Sequence, residues 1–287
     1  MGEQRLLEAV SRDNYMGGVP RKMVIGSVGL IAKTMTALLN RTSVLNGDTL
    51  IQLVRHRPQG VPLITVSNHM STLDDPLLWG FPGFPTMDSR SARWVLTAQD
   101  ICFTNPILSY FFRLGTNHLQ LTSIQSRREF NSGKCIPITR GGGIYQEHMN
   151  EALERLIDGQ WVHVFPEGKV SQEEEPVRRL KWGTASLIVR APSPPIVLPI
   201  VHHGFHKVMP EKYLFNRRPP LPLWNKNIKI MVGEPLQFDV PKLRKLALSR
   251  STNGDETDEA EKSLLQIISD EIRTVMDNLR RFIASNS

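Results

Sequence analysis

Short apolar runs alternate along this chain with stretches of helical periodicity, and this alternation restricts the fold more than any other feature. Such an order predicts an α/β domain with a mostly parallel or mixed central sheet flanked by helices. A helix is predicted over 145–157, with Gly159 as its stop signal. The predicted strands are 62–67, 93–98, 135–140, 161–165, 195–201 and 228–233.

The remaining sequence surrounds one α/β domain predicted over 46–248, and 287 residues are enough for such a domain. Residues 249–262 are polar, acidic and almost free of apolar side chains, so they predict a flexible loop. Residues 263–287 carry an apolar stripe at helical spacing and predict an amphipathic helix that packs on the domain. Residues 1–20 form a leader, and 21–45 form a separate segment.

That N-terminal segment is apolar, yet it is too short for a comfortable membrane span. Its uncharged stretch, 23–32, has ten residues, whereas a span requires about 20. We therefore predict a helix that lies in one leaflet or re-enters it, and an ordinary buried helix is the alternative. The residues predicted to associate with the membrane are Met23, Val24, Ile25, Val28, Leu30, Ile31, Met35, Leu38 and Leu39.

The chain is basic, with a formal net charge of +7 and a pI near 9.6. Such a surface favours polyanions or anionic lipid headgroups without choosing between them. The charged stretch around Arg178, Arg179 and Lys181 is either a solvated loop or a contact for acidic headgroups. Cys102 and Cys135 have neither disulfide-framework nor zinc-ligand spacing.

The stretch "SNHMSTLDDP" over 67–76 follows a predicted strand and brings a histidine close to two aspartates. In a continuous helix, residues five apart lie about 140° apart, too far round for contact. Asp75 followed by Pro76 predicts a helix start, with Asp75 as the cap, so His69 and Asp74 fall in a turn. There Asp74 can accept the Nδ1 proton of His69. The alternative is a capping sequence beside a surface histidine.

Two further blocks end predicted strands. Arg140 is followed by three glycines, which suits phosphate binding. Phe165, Pro166, Glu167 and Gly168 form a rigid turn that presents a carboxylate. The cluster "HHGFH" over 202–206 is a weak metal candidate, because adjacent histidines do not easily share an ion.

In order, H-x-x-x-x-D from His69 to Asp74, the strand before Arg140, F-P-E-G and "IVLPI" over 196–200 resemble the four blocks of the glycerolipid acyltransferase superfamily. The resemblance implies His69 and Asp74 as catalytic residues, with no cofactor and no metal. It also implies a substrate-binding set made of Asn68, Arg140, Phe165, Pro166, Glu167 and Gly168.

Within this superfamily, "PLITVSNHMSTLDDPLLWG", "WVHVFPEGKV" and "LKWG" are similar to the tafazzin family. That resemblance implies a CoA-independent phospholipid–lysophospholipid transacylase that remodels cardiolipin from monolysocardiolipin. It further implies phosphatidylcholine or phosphatidylethanolamine as acyl donor or acceptor. The expected location is the mitochondrial inner and outer membranes facing the intermembrane space, without a full span.

Such a transfer requires removal of a proton from a hydroxyl whose pKa is far above 7, so a base with a pKa near neutral is needed. We assign this role to His69, with Asp74 holding its tautomer. Alternatives are an acyl-CoA-dependent acyltransferase with the same pair, and a basic membrane- or nucleic-acid-binding module without catalysis. Under the leading hypothesis the partner is a phospholipid bilayer and nucleic acid is not expected.

Overall fold

A computed structural model of the protein describes residues 19–88, 91–98, 135–172, 176–250 and 256–285. Within these ranges lies a seven-stranded sheet in the order β1-β7-β6-β2-β5-β3-β4. All neighbouring pairs are parallel except β6 with β7, which is antiparallel. The predicted α/β class with a mixed sheet and flanking helices is therefore confirmed.

Six of the strands coincide with predicted runs, to within two residues at each end. The seventh, β1, was not predicted as a strand and pairs in parallel with β7. The strands are β1 Arg41–Leu45, β2 Leu63–Ser67, β3 Trp94–Ala98, β4 Cys135–Ile138, β5 Trp161–Val164, β6 Ile196–His203 and β7 Asn227–Val232.

The helices occupy both faces of the sheet, as parallel pairing requires. Those in the described ranges are α1 Val19–Lys33, α2 Gly47–His56, α3 Asp74–Leu78, α4 Glu147–Ile157, α5 Gly183–Arg190, α6 Phe205–Val208, α7 Val240–Arg250 and α8 Glu256–Ser285. A π-helical turn, Thr34–Leu38, extends α1. The predicted helix over 145–157 thus begins at Glu147 and ends at Ile157.

Two apolar clusters fill the space between the sheet and its helices. Ile64 and Val66 of β2 join the cluster beneath α4, α5 and α8. Leu63, on the opposite face of the same strand, joins the cluster that includes residues of α2 and α3. All five residues of β2 are buried. Because successive side chains point to opposite faces of a strand, this means that β2 is covered on both faces.

The N-terminal segment divides into parts with different roles. Along α1 and its extension, Met23, Leu30, Ile31 and Leu38 are exposed, as membrane association requires. Met35 departs from that prediction, because it is 8% exposed and packs in the core. Residues 41–45 belong to the sheet and not to a membrane segment. None of the helices in the described residues is long and apolar enough to cross a bilayer.

The C-terminal part also differs from the sequence prediction. The flexible loop predicted over 249–262 is wrong at both ends, because α7 reaches Arg250 and α8 begins at Glu256. Residues 251–255 lie outside the described residues. The amphipathic helix predicted for 263–287 is the second part of α8. Its buried face, including Leu264, Ile268 and Ile272, packs in the larger core cluster as predicted.

The strands β2, β5 and β6 are parallel, so their carboxyl ends lie together along one edge of the sheet, and the chain segments that follow them meet there. We call this the carboxyl edge, as distinct from the outermost strands β1 and β4. Ligands of open α/β sheets bind at such an edge. Because β6 is also antiparallel to β7, the segment between these two strands leaves and returns at that edge.

Candidate active site

The turn after β2 brings His69 against Asp74, as the sequence predicted. Asp74 Oδ2 lies 2.9 Å from His69 Nδ1. The same oxygen accepts the backbone N–H groups of Met70 at 2.6 Å and Ser71 at 2.8 Å. Because a carboxylate only accepts hydrogen bonds, Nδ1 of His69 donates and Nε2 carries the lone pair.

Asp75 does not cap the helix, in contrast to the prediction. Helix α3 begins one residue earlier, at Asp74, and no side-chain cap is present. The Asp75 carboxylate instead accepts from Arg93 at 2.8 and 2.5 Å and from the Trp79 indole at 3.2 Å. Burial alone would raise the pKa of Asp75, but the charge and hydrogen bonds of Arg93, together with His163 and the Trp79 indole, outweigh burial and lower the pKa. The two adjacent aspartates therefore point to different partners.

The plane of the His69 ring is fixed from the neighbouring strand β5. Phe165 stacks on it with ring centres 4.1 Å apart and an angle of 21° between the planes. Glu167 Oε1 accepts the His69 backbone N–H at 3.1 Å, and the His69 carbonyl accepts the N–H of Ser171 at 2.7 Å. The F-P-E-G turn thus holds the histidine, whose side chain is 21% exposed, whereas that of Asp74 is fully buried.

Glu167 lies in a mixed electrostatic environment. Burial raises the pKa of its carboxyl, and the His69 backbone N–H and the positive charges of Arg280 and Arg178 oppose this rise. Arg178 belongs to the stretch considered for acidic headgroups, and Arg280 comes from α8. The sequence offered no signal for Arg280, since only the packing of α8 brings it to this edge.

His202 is a second histidine at Asp74 that sequence reasoning did not assign. Its backbone N–H donates to Asn68 Oδ1 at 2.9 Å, and Asn68 Nδ2 donates to the His202 carbonyl at 3.0 Å. The ring Nε2 donates to the Asn68 carbonyl at 2.8 Å and lies 3.6 Å from Asp74 Oδ2. Burial lowers the pKa of His202, which keeps the ring neutral. Asn68, predicted to bind substrate, is fully buried and joins β2 to β6.

A third histidine, His163, supports the site from inside β5. Its Nδ1 forms a hydrogen bond of 2.8 Å with the Thr65 hydroxyl, and its ring meets Phe165 edge-on at 4.6 Å. Burial lowers the pKa of His163 to about 3, so the ring stays neutral beneath the ring that stacks on His69.

Arg140 lies apart from these groups in the sheet. It is exposed and follows β4, the edge strand, three strands from β2. With strands about 4.8 Å apart, this is roughly 14 Å across the sheet. Pro166 is buried beside Glu167, and Gly168 closes the turn with a φ of 71°. Among the described residues, no three histidine, cysteine, aspartate or glutamate side chains gather as a metal ion would require.

The geometry therefore places a histidine ring against a buried carboxylate at the carboxyl ends of parallel strands. Comparison with known sequences assigns the class of the protein. Residues 50–203 match the acyltransferase family, so the chain belongs to this family and is an acyltransferase enzyme.

The chain is also similar to individual proteins. N-acylphosphatidylethanolamine synthase of Arabidopsis thaliana is 51% identical over 96% of this chain and 97% of that protein. The tafazzin of Drosophila melanogaster is 39% identical over 77% of this chain and 52% of that protein. The taffazin of Dictyostelium discoideum is 38% identical over 76% and 70%, respectively. The resemblance to the acyltransferase superfamily is thus confirmed. The resemblance to tafazzin is not confirmed, because the Arabidopsis protein, which bears another name, is more similar to this chain than the two tafazzins are.

Proposed function

We propose that the protein transfers a fatty acyl chain to a membrane phospholipid, with His69 as the general base and Asp74 as the residue that orients it. The contact of 2.9 Å between His69 Nδ1 and Asp74 Oδ2 carries this proposal. It leaves the lone pair on Nε2 for a substrate proton, and it stabilises the imidazolium that forms.

The substrate supplies the nucleophile, so no acyl-enzyme is required. The acceptor hydroxyl, or the acceptor amine after its ammonium form has released one proton to the solvent, gives a proton to His69 Nε2 while its heteroatom attacks the acyl carbonyl carbon. The bond from that carbon to the donor's oxygen or sulfur then breaks, and the leaving group takes the proton back from Nε2. Atoms and charges balance without a cofactor.

Two acceptors fit this chemistry. The amine of phosphatidylethanolamine is our first candidate, because the relative named for N-acylphosphatidylethanolamine synthesis is 51% identical over almost the entire chain. The hydroxyl of a lysophospholipid is the second, because two relatives named as tafazzins are 38% and 39% identical. Remodelling of monolysocardiolipin to cardiolipin, and a mitochondrial location, belong to this second candidate.

The headgroup phosphate requires cations near the base. Arg178 and Arg280 are our preferred candidates, because their charges act on Glu167, whose carboxylate binds the His69 backbone. Arg140 stays a prediction as a phosphate ligand and would have to reach the site from the edge strand. We also propose that the exposed apolar side chains of α1 associate with the bilayer without spanning it.

The test combines two acceptors with two donors. Purified protein is mixed with phosphatidylethanolamine or lysophosphatidylcholine, and with labelled phosphatidylcholine or labelled acyl-CoA. We expect labelled N-acylphosphatidylethanolamine, and label transfer without CoA identifies a transacylase. Product only in the lysophospholipid mixtures would select the second candidate, and a strict requirement for acyl-CoA would exclude the CoA-independent reaction.

His69→Ala should abolish every transfer, whereas His56→Ala, a change of an exposed histidine at the end of α2, should leave it intact. Full activity of His69→Ala would overturn the assignment of the base.

The role of α1 is tested by Met23→Ser, Leu30→Ser and Ile31→Ser together, with vesicle binding as the readout. Deleting residues 21–40 would not test membrane binding by α1 alone, because it also removes Met35 and Thr36, which are buried in the core, and so would disturb folding.

A further inference from the structure

The segment between α6 and β7, residues 209–226, exposes several large apolar side chains. Phe215 is 94% exposed, Leu221 70%, Trp224 65% and Tyr213 49%. Isolated exposed apolar residues are common on soluble proteins, but a group of aromatic and leucine side chains in one loop marks an interaction surface.

The backbone of this loop holds these side chains outward. Phe215 adopts a φ of 53°, in the left-handed region that a bulky side chain rarely occupies. A turn is closed around it by the Tyr213 N–H, which donates to the Arg217 carbonyl at 3.0 Å. Farther along, the Leu223 N–H donates to the Val208 carbonyl at 2.8 Å. The exposed rings therefore extend from a hydrogen-bonded loop.

The loop is continuous with the end of the N-terminal segment. The Asn225 N–H donates to the Leu39 carbonyl at 2.7 Å, and the Lys226 N–H donates to Asn40 Oδ1 at 2.8 Å. Leu38 is 78% exposed and Leu39 44%. We call this combined surface the apolar rim, and its members are Leu38, Leu39, Tyr213, Phe215, Leu221 and Trp224.

The apolar rim adjoins the active site. Gln172 Nε2 donates to the carbonyls of Met70 and Met209, each at 3.1 Å, and so joins the catalytic turn to the start of the loop. Gln172 Oε1 also accepts the Glu211 N–H at 3.0 Å. A lipid held at the rim would thus lie beside the edge of the sheet where His69 is located.

The charges around the rim indicate the occupant. Residues 207–229 contain one acidic side chain, Glu211, and six basic ones, Lys207, Lys212, Arg217, Arg218, Lys226 and Lys229. Tryptophan and tyrosine favour the headgroup level of a bilayer, and basic side chains attract anionic lipids. A protein partner would meet the apolar side chains equally well, but it would not explain the combination of aromatic residues, excess positive charge and a neighbouring acyl-transfer site.

We propose that the apolar rim is a membrane-docking surface in which the loop over 209–226 adds to the end of the N-terminal segment. This loop inserts Phe215, Leu221 and Trp224 into an anionic bilayer beside the active site. The inference rests on the proposed function for the nature of the substrate.

The test compares two triple variants with the unmodified protein. One carries Phe215→Ser, Leu221→Ser and Trp224→Ser. The control carries Ile157→Ser, Leu246→Ser and Leu248→Ser, which are exposed apolar side chains outside the rim. Binding is measured by flotation with phosphatidylcholine vesicles, with and without phosphatidylglycerol. We expect the rim variant to bind the anionic vesicles about a hundredfold more weakly, the control to bind normally, and salt to weaken binding.

Acyl transfer in detergent micelles separates this proposal from the proposed function. The rim variant should retain transfer in micelles and lose it on vesicles, whereas His69→Ala should bind vesicles and transfer in neither. Equal binding of both triple variants would overturn the rim proposal. Failure of the unmodified protein to bind vesicles would also overturn it and leave a protein partner for this surface. Absence of micellar transfer in all forms would contradict the proposed function alone.

Discussion

Replacing Asp74 by asparagine tests the orienting role that we propose for this carboxylate. Its Oδ2 accepts His69 Nδ1 at 2.9 Å and the backbone N–H groups of Met70 and Ser71. Asparagine can keep an oxygen for the two backbone groups, but it loses the charge that fixes the His69 tautomer and stabilises the imidazolium. We expect the rate of acyl transfer to fall about a thousandfold, within a range of 10² to 10⁴. This equals about 4 kcal/mol of transition-state stabilisation.

The assay is the initial rate of label transfer in micelles, measured together with unfolding in urea. Weaker bonds to Met70 and Ser71 should reduce the free energy of unfolding by about 1 to 2 kcal/mol. Asp75→Asn is the matched control, because it makes the same change one residue later on a carboxylate bound to Arg93 and Trp79. It should lose about 1 to 2 kcal/mol of stability and keep its rate. A loss below about tenfold for Asp74→Asn, or equal losses for both variants, would refute the assignment.

Three further predictions concern the support of the site. Burial lowers the pKa of His163 in the folded protein to about 3. Below about pH 6.5 the imidazole of His163 therefore binds a proton in the unfolded chain but not in the folded one. Stability should therefore be full above that pH and about 2 kcal/mol lower at pH 5, and urea unfolding of His163→Gln should show a flatter dependence on pH. Glu167→Ala should slow transfer by about tenfold or more, and Glu167→Gln should recover part of the rate, since its amide oxygen can still accept the His69 N–H. Gly204→Ala should lower the free energy of unfolding by about 2 kcal/mol or more, because φ is 101° and a Cβ would collide with the Asn227 carbonyl oxygen; thermal unfolding measures it.

The contact between His69 and Asp74 was predictable because local signals define it. A buried strand ends at Ser67, a helix starts within ten residues, and the spacing excludes a helical pair. The role of Asp75 was not predictable, because Arg93 lies 18 residues away and reaches it only through the fold. Capping preferences describe a helix start in isolation, and here a tertiary ion pair takes the carboxylate.

Strand order was the main feature that the sequence did not reveal. Arg140 and Glu167 both follow predicted strands, yet β5 is beside β2 whereas β4 forms the far edge. β6 lies on the other side of β2, and this is why His202 rather than Arg140 meets the turn that holds His69 and Asp74. Strand β1 was not predicted, because its sequence lacks the apolar run that is typical of a central strand. In the structure its residues alternate between exposed and half-buried positions.

Helix α8 does more than cover the sheet, because it also holds a loop that contacts the F-P-E-G turn beside His69. Asp277 Oδ1 accepts the Val177 N–H at 2.6 Å, and Arg273 Nε donates to the Val177 carbonyl at 2.9 Å. From that loop, the Lys181 N–H donates to the carbonyl of Pro166 at 2.8 Å. Pro166 directly precedes Glu167, which binds the His69 backbone. Hydrogen bonds and the short chain segments between them thus connect the C-terminal helix to His69. The amphipathic pattern predicted the buried face of this helix but not this polar connection.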